Sequence, residues 1–276
     1  MIKICLDAGH YGKYNQSPVV KEYYESEMNW ALHLLLKKEL EGYGFAVNQT
    51  RKGKDTDMEL VARGKRARDT DLLLSLHSNA AEREDADHVV IFCPVSDDRA
   101  DLDETSLALA KKLAPTITET MGVLEKDYRI AQVKSDRDRD GDGEKNDNYY
   151  GVLHGARMVG VPALIVEHSF HTNERAAKWL LKEEHLVKLA CAEAKVIAEF
   201  YGMKKRYYRI QVGAYTKKPN AEKMRQRLRS AGYDGFITMT NGYYKVQVGA
   251  YENKSNAENM AKKLKEDGFS TYITGK

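Results

Sequence analysis

The chain has 276 residues, 42% hydrophobic and 31% charged, with 44 Lys and Arg against 41 Asp and Glu. That length allows a sizeable core plus a second module, and interspersed charge in this proportion argues against a disordered chain. A net charge of +3 leaves room for a mildly anionic polymer as partner, but it is small for a nucleic-acid binder, and no nucleic-acid partner is expected.

Residues 2–6 form a short apolar run that reads as a strand. No basic region followed by a long apolar run opens the chain, so no signal peptide is expected, and no stretch approaches a membrane span. Met28, Leu32, Leu35, Leu36 and Leu40 recur at helical spacing before Gly42 and Gly44 end the run. Strands are predicted over residues 45–50, 72–76, 89–92 and 161–166, and helices over 107–121 and 176–200. The runs at 72–76 and 161–166 are apolar without alternation, as in strands covered on both faces. Strands alternating with helices predict an α/β unit, a mostly parallel twisted sheet flanked by helices, of the phosphorylase/hydrolase-like kind. Cys5, Cys93 and Cys191 are too widely spaced for a disulfide framework and are expected as buried thiols of a protein made in a reducing cytosol.

The pattern changes near residue 202. Tyr208-Arg-Ile-Gln-Val-Gly-Ala-Tyr215 recurs as Tyr244-Lys-Val-Gln-Val-Gly-Ala-Tyr251, and Asn220-Ala221-Glu222 as Asn256-Ala257-Glu258 at the same offset. Each repeat reads strand, helix, strand, and two of them make a small α+β, ferredoxin-like βαββαβ unit. The expected division is a catalytic domain at 1–201, a short linker at 202–206 and the small domain at 207–276. Alternation points Tyr208, Ile210 and Val212 inward. It leaves Arg209, Gln211, Lys245 and Gln247 on an open sheet face, which is either a ligand platform or a solvated surface.

Ligands of open α/β sheets bind beyond the carboxyl ends of the strands. His10 follows the first strand, His77 ends the strand at 72–76, Glu167 follows the strand at 161–166, and Glu25 precedes the helix near Met28. Two His and one carboxylate can hold a single zinc ion with a position left for water, and a second carboxylate can then act as base. Taken singly, each has a plain structural alternative: a hydrogen-bonded His at a strand end, or a Glu complementing a helix dipole.

In order and spacing, Leu6-Asp7-Ala8-Gly9-His10, Glu25-Ser26-Glu27-Met28-Asn29, Thr50-Arg51, Leu60 to Arg63, Asp71 to Ala80 and Pro162 to Asn173 resemble the type 3 N-acetylmuramoyl-L-alanine amidases. The resemblance covers roughly residues 1–200. It implies zinc on His10, Glu25 and His77, a catalytic Glu167, and cleavage of the amide between N-acetylmuramic acid and the first L-alanine of the peptidoglycan stem. Glu22 and Glu27 are rivals to Glu25. Asn79, Arg63, His168 and His171 are candidates for supporting or substrate-facing roles. The segment after His10, Tyr11-Gly12-Lys13-Tyr14-Asn15, departs from the family's glycine-rich stretch.

The repeat resembles a SPOR domain, which implies binding of peptidoglycan glycan strands through Arg209, Gln211, Lys245 and Gln247; an RNA-recognition sheet of similar topology would want aromatics on that face. Asp136, Asp138, Asp140 and Asp147 resemble a calcium loop, with a solvated charged loop as the alternative. The other functional readings are a zinc peptidase or carboxypeptidase acting within the stem, and a non-catalytic wall-binding protein. The expected setting is synthesis in the cytoplasm and action on the wall after lysis, as a phage endolysin or a mother-cell lysis enzyme.

Overall fold

The computed structural model describes residues 1–276 except 96–99, 126, 140, 142, 144, 146, 206, 253 and 276. The chain divides into two compact units, Met1–Lys204 and Lys205–Lys276.

In the first unit the elements run β1 (Lys3–Ala8), α1 (Glu25–Tyr43), β2 (Ala46–Gln49), α2 (Leu60–Lys65), β3 (Leu72–Asn79), β4 (Val89–Cys93), α3 (Ala100–Met121), β5 (Tyr128–Gln132), α4 (Gly151–Arg157), β6 (Ala163–Phe170), α5 (Glu174–Leu180) and α6 (Glu183–Phe200). The sheet order is β2-β1-β3-β6-β4-β5. Every neighbouring pair is parallel except β4 with β6. β3 and β6 therefore lie side by side at the centre, and their register pairs His77 with Glu167.

The main core joins one sheet face to α1, α3 and α6. Leu32, Leu36 and Leu40 of α1 are fully buried against Leu6, Leu74 and Leu76. Each such side chain contributes about 1.5–3 kcal/mol of transfer free energy. Gly44 ends α1 at φ 93, its N–H returned to the carbonyls of Glu41 and Leu40, a conformation that a side chain would strain. The opposite face is covered by α4, with Val152, Leu153 and Ala156 against Cys5, Leu73 and Ile165.

Three expectations change. Residues 176–200 are not one helix: α5 stops at Leu180, and α6 restarts after Lys182, which has extended backbone angles. The short helices α2 and α4 and the edge strand β5 have no counterpart in the predicted elements. α2 and α4 are too short to be stable alone and exist by packing on each other: a Cβ on Gly64 would lie 2.2 Å from the Val152 carbonyl oxygen, and one on Gly155 2.2 Å from that of Val61. Cys5 and Cys93 are buried, but Cys191 is exposed on α6.

The second unit contains β7 (Tyr208–Tyr215), α7 (Lys218–Ser230), β8 (Gly235–Thr240), β9 (Tyr243–Tyr251), α8 (Lys254–Glu266) and β10 (Tyr272–Gly275). The sheet order is β10-β7-β9-β8, all antiparallel. Ile210, Val212, Val246 and Val248 of the two central strands pack on Ala221 and Leu228 of α7 and Ala261 and Leu264 of α8. Both helices thus cover one face, as the repeat implies.

Candidate active site

The site forms where β1, β3 and β6 end and α1 begins. His10 is the second residue after β1 and adopts φ 58, which turns the chain back over the sheet edge. Glu25 is the first residue of α1 and is 2% exposed. The opening N–H groups of a helix have no partners within it, and those of Glu25 and Ser26 are taken by the Asn15 and Tyr14 carbonyls, at 3.0 and 3.3 Å. Ser26 Oγ accepts from the Tyr14 N–H at 2.8 Å and donates to the Gly12 carbonyl. The loop after His10 is thereby fastened to the start of α1.

Glu25 Oε2 lies 3.1 Å from His10 Nε2, and Glu25 Oε1 lies 2.9 Å from His77 Nδ1. One ligand atom from each of His10, Glu25 and His77 falls within 4.8 Å of the others, the only such His/Cys/Asp/Glu group among the described residues. The Ser78 N–H at 3.2 Å and Asn15 Nδ2 at 2.6 Å also donate to Glu25. Burial would raise the Glu25 carboxyl, but hydrogen bonds from His10 and His77 hold it well below the usual carboxylate range. Burial would lower His77, but its bond to Glu25 and the charges of Glu167, Glu25 and Asp7 raise it to about 9. The rivals fall away on geometry: Glu22 is exposed, and Glu27 pairs with Lys54 at 2.6 Å.

Glu167, paired in register with His77, has a buried Oε2 with no hydrogen-bond partner. Burial pushes its carboxyl up to about 7; Glu25 adds to the shift and His77 opposes it. His168, next on β6, points to the other face of the sheet. It is fully buried, with Nδ1 2.9 Å from the His77 carbonyl and Nε2 2.9 Å from Glu193 Oε1 on α6. Burial would lower its pKa, but Glu193, the His77 carbonyl and Glu167 together raise it. His168 therefore braces β3 and β6 from behind. His171 Nδ1 meets the Ser78 carbonyl at 2.9 Å and Ser78 Oγ at 3.1 Å, and Tyr23 Oη lies 2.7 Å from the same hydroxyl.

The other candidates have structural partners. Arg63, 3% exposed, donates to the carbonyls of Met58, Ala8 and His10. It shapes the turn under His10. Asn79 Oδ1 accepts from the Ala80 N–H at 2.8 Å, and its neighbour Ser78 donates its N–H to Glu25. Gly9 was not singled out from the sequence, yet a Cβ there would sit 2.2 to 2.6 Å from three ring atoms of His77.

Among the described residues of the expected calcium loop, the carboxylates of Asp136, Asp138 and Asp147 form no metal-holding group. Asp136 projects into solvent. Asp138 accepts from the N–H groups of Gly141 and Gly143. Asp147 is buried and accepts from the Arg139 N–H at 2.6 Å, with His154 and Arg157 nitrogens 3.6 Å away. Asp140, with Asp142 and Glu144, lies outside the described residues.

In the second unit, Arg209, Lys245 and Gln247 line a shallow basin on the open sheet face, together with Tyr207, Phe236, Thr238 and Tyr272. Gln211 pairs with Gln247 across β7 and β9. The aromatics were missed by reading only the repeated strands; Tyr272 alternates with the inward Ile273, and that signal was available.

A mostly parallel sheet that gathers two imidazoles and two carboxylates at the carboxyl end of its central strands defines an α/β enzyme with a site able to hold one metal ion. The family model for N-acetylmuramoyl-L-alanine amidase matches residues 4–199, and that for the SPOR domain matches residues 204–275. Solved structures agree in fold. The catalytic domain of CwlV, an N-acetylmuramoyl-L-alanine amidase from Bacillus (Paenibacillus) polymyxa var. colistinus, is 21% identical with a TM-score of 0.56, covering 74% of this chain and 100% of that one. AmiC2 of Nostoc punctiforme is 21% identical with a TM-score of 0.56, covering 73% and 97%. Cwp6 from Clostridium difficile is 21% identical with a TM-score of 0.59, covering 72% of this chain and 29% of that longer one. No curated protein matches the chain. The chain belongs to the N-acetylmuramoyl-L-alanine amidase family and carries a C-terminal SPOR domain.

Proposed function

We propose that the first unit hydrolyses the amide between N-acetylmuramic acid and the first L-alanine of the peptidoglycan stem, using one zinc ion held by His10, Glu25 and His77. The observation that carries this reading is the convergence of those three ligand atoms within 4.8 Å beside the unpartnered carboxylate oxygen of Glu167. Two imidazoles and a carboxylate are the donor set of catalytic zinc, with a position left open. Zinc bound there would supply a water of lowered pKa, roughly 7, and polarise the scissile carbonyl.

The protein's own groups do the rest. Glu167 accepts a proton at its free carboxylate oxygen and later delivers it to the leaving amine nitrogen. Its raised pKa of about 7 suits both directions of transfer near neutrality, and a dication beside it would draw that value down. Glu25 would neutralise part of the cation's charge and is held in place by Asn15 and the Ser78 N–H.

The SPOR unit, in this proposal, holds glycan strands on the basin around Arg209, Lys245 and Gln247. Tyr207, Phe236 and Tyr272 offer the flat apolar surface that a sugar ring can stack on. Digestion of purified sacculi with and without a chelator, followed by mass spectrometry, tests the activity. Chelator-sensitive release of intact stem peptides with a free N-terminal alanine is expected. Products cut within the stem would select the peptidase reading, and no products at all would leave a wall-binding protein.

A further inference from the structure

We propose that Tyr14 and Tyr11 form a saccharide subsite that holds the muramyl ring on the acyl side of the scissile amide. The inference deepens the amidase reading and rests on it. Three rings run outward from the ligand cluster. Tyr14 stacks on His10, with centroids 4.9 Å apart and planes at 14°, and Tyr11 lies nearly parallel to Tyr14, at 6.2 Å and 25°. These separations are those of offset rings rather than eclipsed ones. Tyr14 is 49% and Tyr11 38% exposed. Aromatic surface left open beside a site is a mark of binding.

The platform is held by its backbone. Tyr14 gives its N–H to Ser26 Oγ at 2.8 Å, and its carbonyl accepts from the Ser26 N–H at 3.3 Å. Gly12 at φ 55 and Asn15 at φ 53 turn the chain on either side of it. A ring fixed in this way loses less freedom on taking a ligand than one on a loose segment.

The sheet order decides which half of the substrate the rings meet. β1, β3 and β6 are successive neighbours, so His10, His77 and Glu167 follow one another along the sheet edge. The leaving amine must come within hydrogen-bond reach of Glu167 to receive its proton, which sets the peptide half on the β6 side. The acyl half leaves the scissile carbon in the other direction, towards β1, His10 and the two tyrosines. That half is a lactyl group borne by a pyranose. A pyranose offers C–H groups to the electron-rich face of a tyrosine ring and hydroxyls to its phenol.

Two soluble substrates test this on the zinc-loaded full chain. One is an N-acetylglucosaminyl-N-acetylmuramyl stem peptide; the other is the matching D-lactoyl stem peptide, which keeps the scissile amide and has no sugar. The wild type is expected to favour the first. Tyr14→Ala and Tyr11→Ala should each cut that preference, as a ratio of kcat/KM values, by about 3- to 10-fold, the range for one lost aromatic contact. The loss should fall on KM, as when ground-state binding is removed. Tyr14→Phe, which keeps the ring, should retain the preference. Zinc uptake measured alongside shows whether His10 has kept its place, and Tyr11→Ala, one ring further out, carries the test if Tyr14→Ala loses zinc. A preference unchanged in both alanine variants, through no loss or through equal loss on both substrates, would overturn the proposal. A wild type that cleaves neither substrate would instead sink the amidase reading. The peptide-free disaccharide, added to metal-free protein with isotope-labelled tyrosine, then still decides the subsite: shifted Tyr11 and Tyr14 resonances, assigned from Tyr11→Phe and Tyr14→Phe, support it, and unmoved ones overturn it.

Discussion

Gly9→Ala is expected to damage the site far more than the fold. The new Cβ would lie 2.2 Å from His77 Cε1, 2.5 Å from Nε2 and 2.6 Å from Nδ1. Ordinary carbon contacts begin near 3.5 Å, so the ring would have to retreat by more than about 1 Å. Gly9 does not occupy the left-handed region, so alanine meets no backbone penalty and the whole effect is contact. His77 is held by Glu25 on one ring nitrogen and Ser75 on the other, and retreat breaks at least one of these bonds. Overpacking of this kind costs about 1–3 kcal/mol in stability. Misplacement by about 1 Å at a reacting centre costs on the order of 100-fold in rate. The expected outcome is a protein that still melts cooperatively, binds zinc weakly and releases stem peptides from sacculi about 100-fold more slowly. Wild-type zinc affinity and turnover in Gly9→Ala would refute the packing argument.

Glu167→Gln should abolish turnover while zinc content by elemental analysis stays near that of the wild type; loss of zinc would reassign Glu167 as a ligand. Asp87 is buried and accepts from Arg175, Ser169 and the Leu124 N–H. Burial would raise its carboxyl, but these donors hold its pKa below the usual value. Its contribution is therefore present above the unfolded-state pKa of about 3.9 and fades as pH falls through the lower folded value. Urea melts from neutral to acid pH should show Arg175→Met losing stability at neutral pH and showing a shallower loss below about pH 4; an unchanged acid slope would count against the pair. Gly64→Ala should destabilise by at least about 1–3 kcal/mol, because its Cβ would strike the α4 backbone rather than a movable side chain; a melt like the wild type's would disprove the close packing of α2 on α4. Reversing charge with Arg209→Glu and Lys245→Glu should abolish pelleting with sacculi and leave hydrolysis of soluble muramyl peptides unchanged; retained pelleting would move the glycan site off that sheet face.

Much of this was written locally in the chain. The apolar runs of β1, β3 and β6, the helical spacing of Leu32, Leu36 and Leu40, and the repeated Gln-Val-Gly-Ala-Tyr strands report burial, and burial pattern is a property of neighbouring residues. His10, Glu25, His77 and Glu167 were legible because polar groups that follow apolar strands collect at one edge of a parallel sheet. Glu25 could not be separated from Glu22 and Glu27 by spacing alone. Only the first turn of α1, fastened by the Asn15 and Tyr14 carbonyls, turns Glu25 between two imidazoles and Glu27 towards Lys54. The same holds for α2 and α4, which exist through the glycine contacts each makes with the other. It holds for His168 and His171, whose partners Glu193 and Ser78 are 25 and 93 residues away. It holds for Ser75 and Asp7, register partners on β3 and β1 whose hydrogen bond joins two strands. Local sequence specifies which residues are apolar, capped or extended; tertiary structure decided which polar atoms face one another, because hydrogen-bond partners distant in the chain meet only once the sheet has set its order and register.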